Sequence, residues 1–184
     1  EKGLAHRLEP VELGSDAHRK LHPWSRVPVL RDGAVEIYET SAIVRYLEDT
    51  HPTPRLIPGE PVARARMEQW ISAINSYLYD HVIRKYALAG YVIPASRNIP
   101  PDRAAVDANL PAMRRDLELL DAGYADKEYL AGAELSLADL FVAPIVATVG
   151  MFPEGQAALA TTKHLARAFD SLRKRPSFGV AHAE

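Results

Sequence analysis

The 184 residues are 47% hydrophobic and 25% charged, the balance of a chain that folds around a core and is long enough for one large domain or two small ones. Lysine and arginine total 22 against 24 acidic residues, a formal net charge of -2, which argues against a nucleic-acid partner and its usual basic excess. With no cysteine there is no disulfide framework, thiolate zinc site or cysteine nucleophile, and the expected location is cytoplasmic. Glu1-Lys2-Gly3 reads as the tail of a helix capped by Gly3, so a further segment is expected upstream. Residues Arg7 to Leu13 alternate weakly through Leu8, Val11 and Leu13 and predict a short strand. Val27 to Leu30, Asp32-Gly33 and Val35 to Tyr38 predict a β-hairpin. Helical spacing follows, with Ile43, Tyr46 and Leu47 on one face and Arg45, Glu48 and Asp49 on the other.

From His51 to Pro61 the composition changes: Pro52, Pro54, Pro58, Gly59 and Pro61 exclude a continuing helix and a central strand. The expected organisation is an α/β domain over residues 1–50, a linker over 51–61 and an all-helical domain over 62–184, with Trp70 near the interface between the domains. In the last of these, Met67, Trp70, Ile71, Ile74 and Leu78 form one helical stripe. Val106, Leu110, Met113, Leu117 and Leu120 form a second, and Leu165, Phe169 and Leu172 a third. Leu137 to Val149 is apolar on nearly every side and predicts the central buried helix. Pro111 and Pro144 predict kinks or helix ends. The apolar run from Leu140 to Phe152 is broken by Pro144, Thr148 and Gly150 and falls short of the ~20 residues of a membrane helix, so no membrane partner is expected.

Three constellations carry chemistry. In His22-Pro23-Trp24-Ser25-Arg26-Val27-Pro28-Val29-Leu30, a proline stands at a strand start, where its missing N–H is tolerated. A cis Val27–Pro28 bond would present the Val27 amide and carbonyl to an extended peptide, captured by main-chain hydrogen bonds. An ordinary turn before a strand explains the same residues. In Tyr38-Glu39-Thr40-Ser41-Ala42-Ile43, Thr40 and Ser41 are N-cap chemistry, and the free amides of a helix start bind a carboxylate. Glu39 beside them could hold an ammonium, which together would receive the zwitterionic end of an amino acid. A capped helix with a solvated Glu39 is the plainer alternative. In Leu135-Ser136-Leu137-Ala138-Asp139, Ser136 and Asp139 have capping-box spacing, and a cap accounts for Asp139 without catalysis.

In this order the segments resemble the cytosolic glutathione transferases, of the bacterial type, from Glu1 to Phe178. Lys2-Gly3-Leu4 is similar to the end of that family's first helix. The run from His22 to Leu30 is similar to its asparagine/histidine-proline-aromatic-glycine-basic-valine-proline segment. Glu39-Thr40 resembles its acidic-serine pair, and Arg175-Pro176-Ser177-Phe178 its C-terminal ending. Ser25 stands where glycine is common and Thr40 where serine is commonest. The resemblance implies a thioredoxin-like N-terminal domain, lacking its first strand and most of its first helix, followed by an all-helical bundle, in a homodimer. It implies glutathione as co-substrate and no metal. Val27, followed by Pro28, would pair with the cysteinyl backbone, Glu39 and Thr40 would hold the γ-glutamyl end, and Arg26 would face the glycyl carboxylate.

The thiol-activating residue is implied to lie upstream of Glu1. In the family, the helix that corresponds to the one carrying Tyr77, His81 and Arg84 borders the electrophile pocket. These three are therefore candidate pocket residues, with a solvated or dimer-facing surface as the alternative. His18 or Lys20 could reach the glycyl carboxylate. His18 and His22 have the spacing of a metal pair but lack a third ligand nearby. The function implied is activation of the glutathione thiol for attack on a small hydrophobic electrophile. Alternatives are a non-catalytic binding or regulatory protein on the same scaffold, or another glutathione-dependent enzyme such as an isomerase, dehalogenase or peroxidase.

Overall fold

Two strands, β1 (Val29–Asp32) and β2 (Val35–Tyr38), pair antiparallel with Val29 opposite Tyr38 and Asp32 opposite Val35. Only Gly33 and Ala34 join them. Gly33 has a φ of 57°, the positive value that the first central position of a type II′ turn requires. The computed structural model describes residues 1–181. The chain divides into two units, Glu1–Leu56 and the residues from Ile57 onward, and the division falls inside the proline-rich segment. The last three residues of the expected helical domain lie outside the described residues.

In the first unit the hairpin is flanked by α1 (Asp16–Leu21) and α2 (Thr40–Thr50). Ser15 caps α1, its Oγ accepting the His18 amide at 3.1 Å. Only Ile43 and Leu56 are buried apolar side chains here; the other buried residues are His18, His22 and Glu48. Glu48 was expected on the solvated face of its helix. Instead it is buried: its Oε1 pairs with Lys2 Nζ at 2.5 Å and its Oε2 accepts the Leu56 amide at 3.1 Å. Lys2 Nζ also donates to the carbonyls of His51 at 2.7 Å and Pro54 at 2.8 Å. One helical carboxylate thus gathers both flanks of the unit.

The strand expected from Arg7 to Leu13 is absent. A strand persists only with a ladder partner, and Pro10 has no N–H to offer one. Leu8 and Leu13 are accordingly 65% and 69% exposed. Gly3 does adopt a left-handed φ of 62°, although no helical turn is assigned ahead of it among the described residues.

The second unit is helical. Glu60 caps α3 (Pro61–Ala73), its carboxylate accepting the amides of Val62 at 2.9 Å and Ala63 at 2.7 Å. The chain continues without a break into a wide-turn π segment, Ile74–Val92, and a closing turn, α4 (Ile93–Ser96). Buried Ile74, Leu78, Val82, Tyr86 and Gly90 recur every fourth residue. That period exceeds the 3.6 of an α-helix, in the direction in which a wider turn departs from it. Then follow α5 (Arg103–Gly123), α6 (Leu137–Val149), α7 (Pro153–Leu159), α8 (Lys163–Leu172) and α9 (Pro176–Ala181). Pro111 and Pro144, expected near ends or kinks, lie inside α5 and α6.

As its composition predicts, α6 is buried along most of its length, from Leu137 to Val149. At its start the buried Asp139 carboxylate collects four donors. They are the Ser136 amide (2.9 Å) and hydroxyl (2.8 Å), the Leu130 amide (2.9 Å) and the Tyr124 hydroxyl (3.0 Å). Burial pushes the Asp139 carboxyl upward in pKa, against the opposing pull of those donors.

At three glycines neighbouring elements approach too closely to admit a side chain. A Cβ on Gly90 would stand 2.6 Å from Val106, one on Gly123 2.5 Å from the Trp70 ring, and one on Gly155 2.1 Å from the Val149 carbonyl oxygen. Beside Gly155, Glu154 accepts from Tyr91 and from Arg103 Nη1, the latter at 2.5 Å, joining α7, the π segment and α5. The Tyr91 hydrogen bond above all, with Arg103 beside it, lowers the Glu154 carboxyl from 4.5 to about 2.

Three outcomes follow. Gly155→Ala should lose about 1–3 kcal/mol in denaturant titration, because backbone must move to admit the methyl. Gly179→Ala, with nothing within 4 Å of the new carbon, should be neutral or gain about 0.5–1 kcal/mol. Glu154 carries a depressed pKa, so its stabilisation is complete above the ordinary 4.5 and fades as pH falls toward about 2. The difference in thermal midpoint between wild type and Glu154→Gln should therefore be constant above about pH 5 and shrink progressively in more acidic buffers.

Candidate functional site

The hairpin register brings two of the sequence constellations together. Val29 opposes Tyr38, so the Val27–Pro28 turn leading into β1 and the Glu39–Thr40 junction leaving β2 lie at the same end of the ladder. The Val27–Pro28 bond is cis, and Val27 is 59% exposed. Arg26 is exposed beside it, and its guanidinium has no acidic partner among the described residues. This end therefore carries the Val27–Pro28 turn on one side and an acid with a helix start on the other.

The helix start differs from the sequence expectation. Thr40 and Ser41 were read as N-cap residues, but the N-cap is Glu39, at φ 71° and ψ 116°, and Thr40 is the first residue of α2. The Glu39 carbonyl accepts the amides of Ala42 at 2.9 Å and Ile43 at 3.0 Å, so its backbone makes the cap. No side chain caps this terminus, which leaves the Thr40 amide without a partner among the described residues. A positive φ at a non-glycine residue costs of order 1–3 kcal/mol. Here it turns the chain sharply, with the Glu39 carboxylate exposed at the corner.

The two histidines sit beneath this surface. His18 accepts the Gly14 amide at Nδ1 (3.0 Å), and its Nε2 meets the Arg26 carbonyl at 2.9 Å. Both ring nitrogens are engaged inside the unit, so the suggested reach of His18 to a ligand carboxylate does not hold. His22 accepts the Trp24 amide at Nδ1 (3.3 Å), and its Nε2 lies 3.8 Å from Glu39 Oε1. The His22 ring packs on Tyr38 at 4.7 Å between centroids, and Trp24 lies edge-on to Tyr38 at 6.0 Å. Among the described residues no three His, Asp or Glu side chains group as a metal site. None of their helices is long and apolar enough to cross a membrane.

Tyr77, His81 and Arg84 all lie on the π segment of the second unit, and no hydrogen bond or ion pair joins them among the described residues. Tyr77 is 60% exposed, and Arg84 faces Asp80 at 3.7 Å. His81 Nδ1 bonds the buried carboxylate of Asp116 on α5 at 2.8 Å. Asp116 was missed from the sequence. The signal was present, since it is an acid at helical spacing from Met113 and Leu120 on the apolar stripe of α5.

Comparison with known proteins bears on this geometry. Residues 1–55 match the family model for the glutathione S-transferase N-terminal domain, and residues 79–176 the one for the glutathione S-transferase C-terminal domain. The chain is 34% identical to glutathione S-transferase Z2 of Arabidopsis thaliana, covering 100% of this chain and 82% of that protein. It is 28% identical to maleylacetoacetate isomerase of Rattus norvegicus, covering 98% of this chain and 82% of that one. Among solved structures, glutathione S-transferase I from maize in complex with an atrazine glutathione conjugate superposes with a TM-score of 0.86. It is 26% identical, and the match covers 99% of this chain and 86% of that structure. The order of a thioredoxin-like unit with a small sheet and an all-helical unit is the order of these relatives. The chain belongs to the glutathione S-transferase family.

Proposed function

We propose that the chain binds glutathione at the shared end of the hairpin and conjugates its thiol with a small hydrophobic electrophile. One observation carries this reading: the Val29–Tyr38 register sets the exposed residue Val27 and the Glu39–Thr40 helix start at one end of a single ladder. Val27, followed by Pro28, would take the cysteinyl backbone. Glu39 would take the γ-glutamyl ammonium and Thr40, through hydroxyl and amide, its carboxylate. Arg26, exposed and without an acidic partner, would face the glycyl carboxylate. No residue of this chain is proposed to activate the thiol. Tyr77, His81 and Arg84 are proposed to contact the electrophile.

The proposal extends to residues 1–50 as the glutathione-binding domain, 51–61 as linker and 62–184 as the helical domain. It also extends to a homodimer acting in the cytoplasm without a metal. A bacterial type gains no support from the relatives named above, which come from plants and rat. An isomerase acting through glutathione is the second reading, favoured by the similarity to the rat isomerase.

If the site is as described, glutathione raises the thermal midpoint with occupancy, because it binds only the folded state. Calorimetry on Thr40→Ala should show a loss of about 1–2 kcal/mol, roughly five- to thirtyfold in Kd. Glu39→Gln should lose about 1.5–3 kcal/mol, the range of a charge-assisted hydrogen bond. His164→Ala, on α8, should bind as wild type does. No binding at millimolar glutathione would overturn the assignment, and unchanged binding in both variants would move the site elsewhere. Conjugation of a chromogenic aryl halide separates a transferase from a scaffold that only binds. For the dimer, light scattering at micromolar concentration should return twice the chain mass, and a monomer mass would refute it.

A further inference from the structure

The peptide joining Arg26 to Val27 is trans, since the cis bonds are Val27–Pro28 and Thr53–Pro54. In a trans peptide the carbonyl and the N–H lie in one plane and point in opposite directions. The direction of the Val27 N–H is therefore set by whatever holds the Arg26 carbonyl. That group is His18, a side chain with no exposed surface, whose Nε2 stands 2.9 Å from the carbonyl oxygen. The other ring nitrogen accepts the Gly14 amide at 3.0 Å, so the ring proton sits on Nε2, the tautomer that can donate to a carbonyl.

The ring is itself held. The His18 amide donates to Ser15 Oγ at 3.1 Å in the cap of α1, and the Gly14 contact comes from the residue ahead of that cap. From Gly14 through the imidazole to the Arg26 carbonyl, one hydrogen-bonded path fixes the peptide plane. The carbonyl is drawn toward a buried group and the Val27 N–H is turned the opposite way, at a residue that is 59% exposed. A hydrogen bond accepted by a peptide carbonyl also polarises that peptide and makes its N–H a better donor.

We propose that His18 is a positioning residue that aims the Val27 N–H at an extended ligand backbone, without touching the ligand. The inference rests on the glutathione site proposed above. It separates the two arms of the imidazole, which two substitutions can imitate one at a time. The glutamine side-chain amide reaches about as far as Nε2, so His18→Gln keeps a donor for Arg26 and gives up the Gly14 contact. The shorter asparagine reaches about as far as Nδ1, so His18→Asn keeps an acceptor for Gly14 and gives up the Arg26 carbonyl.

Glutathione affinity by calorimetry should fall about five- to tenfold in His18→Asn and stay within about twofold of wild type in His18→Gln. The backbone amide resonance of Val27 in the ligand-free protein should move in the Asn variant and return in the Gln variant. Equal loss of affinity in both variants, or none in His18→Asn, would overturn the proposal. If wild type binds no glutathione, the site reading fails, and the Val27 resonance alone decides the role of His18. Should either variant fail to fold, nitrogen NMR of the wild-type ring decides, because a proton found on Nδ1 rather than Nε2 refutes the arrangement.

Discussion

Every polar group taken out of water must find a partner, and in this chain that requirement shapes both units. The first unit has too little apolar interior to be organised by volume alone. Ile43 and Leu56 are its buried apolar side chains, whereas His18, His22 and Glu48 occupy the rest of its interior. Each of the three therefore has its position dictated by specific donors and acceptors. Glu48 ties α2 to Lys2 and to the Leu56 amide, and His18 ties the start of α1 to the turn ahead of β1. Removing one partner leaves the other stranded in the interior, which is why such pairs hold geometry more strictly than apolar contacts do.

The same requirement connects the interior to the surface where function is proposed. A peptide plane has two polar edges to satisfy, and the buried His18 takes the carbonyl of the Arg26–Val27 plane. The opposite side of that plane is left to an exposed residue. At the other half of the site, the Glu39 backbone supplies the cap of α2, so the Thr40 amide is not consumed by a neighbouring side chain. Each half of the proposed site thus includes a main-chain donor, the Val27 N–H in one and the Thr40 amide in the other, beside a buried or strained neighbour. Such groups suit a ligand with its own peptide backbone.

The helical unit solves the problem differently. Its interior is mainly apolar, and its polar knots are engaged: Asp139 with four donors at the start of α6, Asp116 with His81, and Glu154 with Tyr91 and Arg103 across three elements. Between these knots the helices approach through Gly90, Gly123 and Gly155, where side chains or backbone from the facing helix occupy the space a Cβ would need. Polar knots fix which elements meet, and glycine contacts fix how closely.

By itself the sequence determined the elements whose signals are local. The hairpin was legible because Asp32-Gly33 stands between β-branched runs, and the buried α6 because Leu137 to Val149 has no polar face. The cap at Ser136 and Asp139 and the candidate pair Glu39–Thr40 were legible from residue type and spacing. Tertiary structure decided what depends on a partner distant in the chain. It denied a strand to Arg7 through Leu13, where no neighbour supplies a ladder, and buried Glu48, whose helical face alone marked it as solvated. It gave the cap of α2 to the backbone of Glu39, and it turned His18 from a possible ligand contact into an internal strut. It also set Asp116 against His81, a pairing across 35 positions. Periodicity and caps are written within a few neighbouring residues, so a sequence shows them directly. The partner of a buried polar group is chosen only when distant segments meet, and in this protein those choices aim the groups of the proposed site.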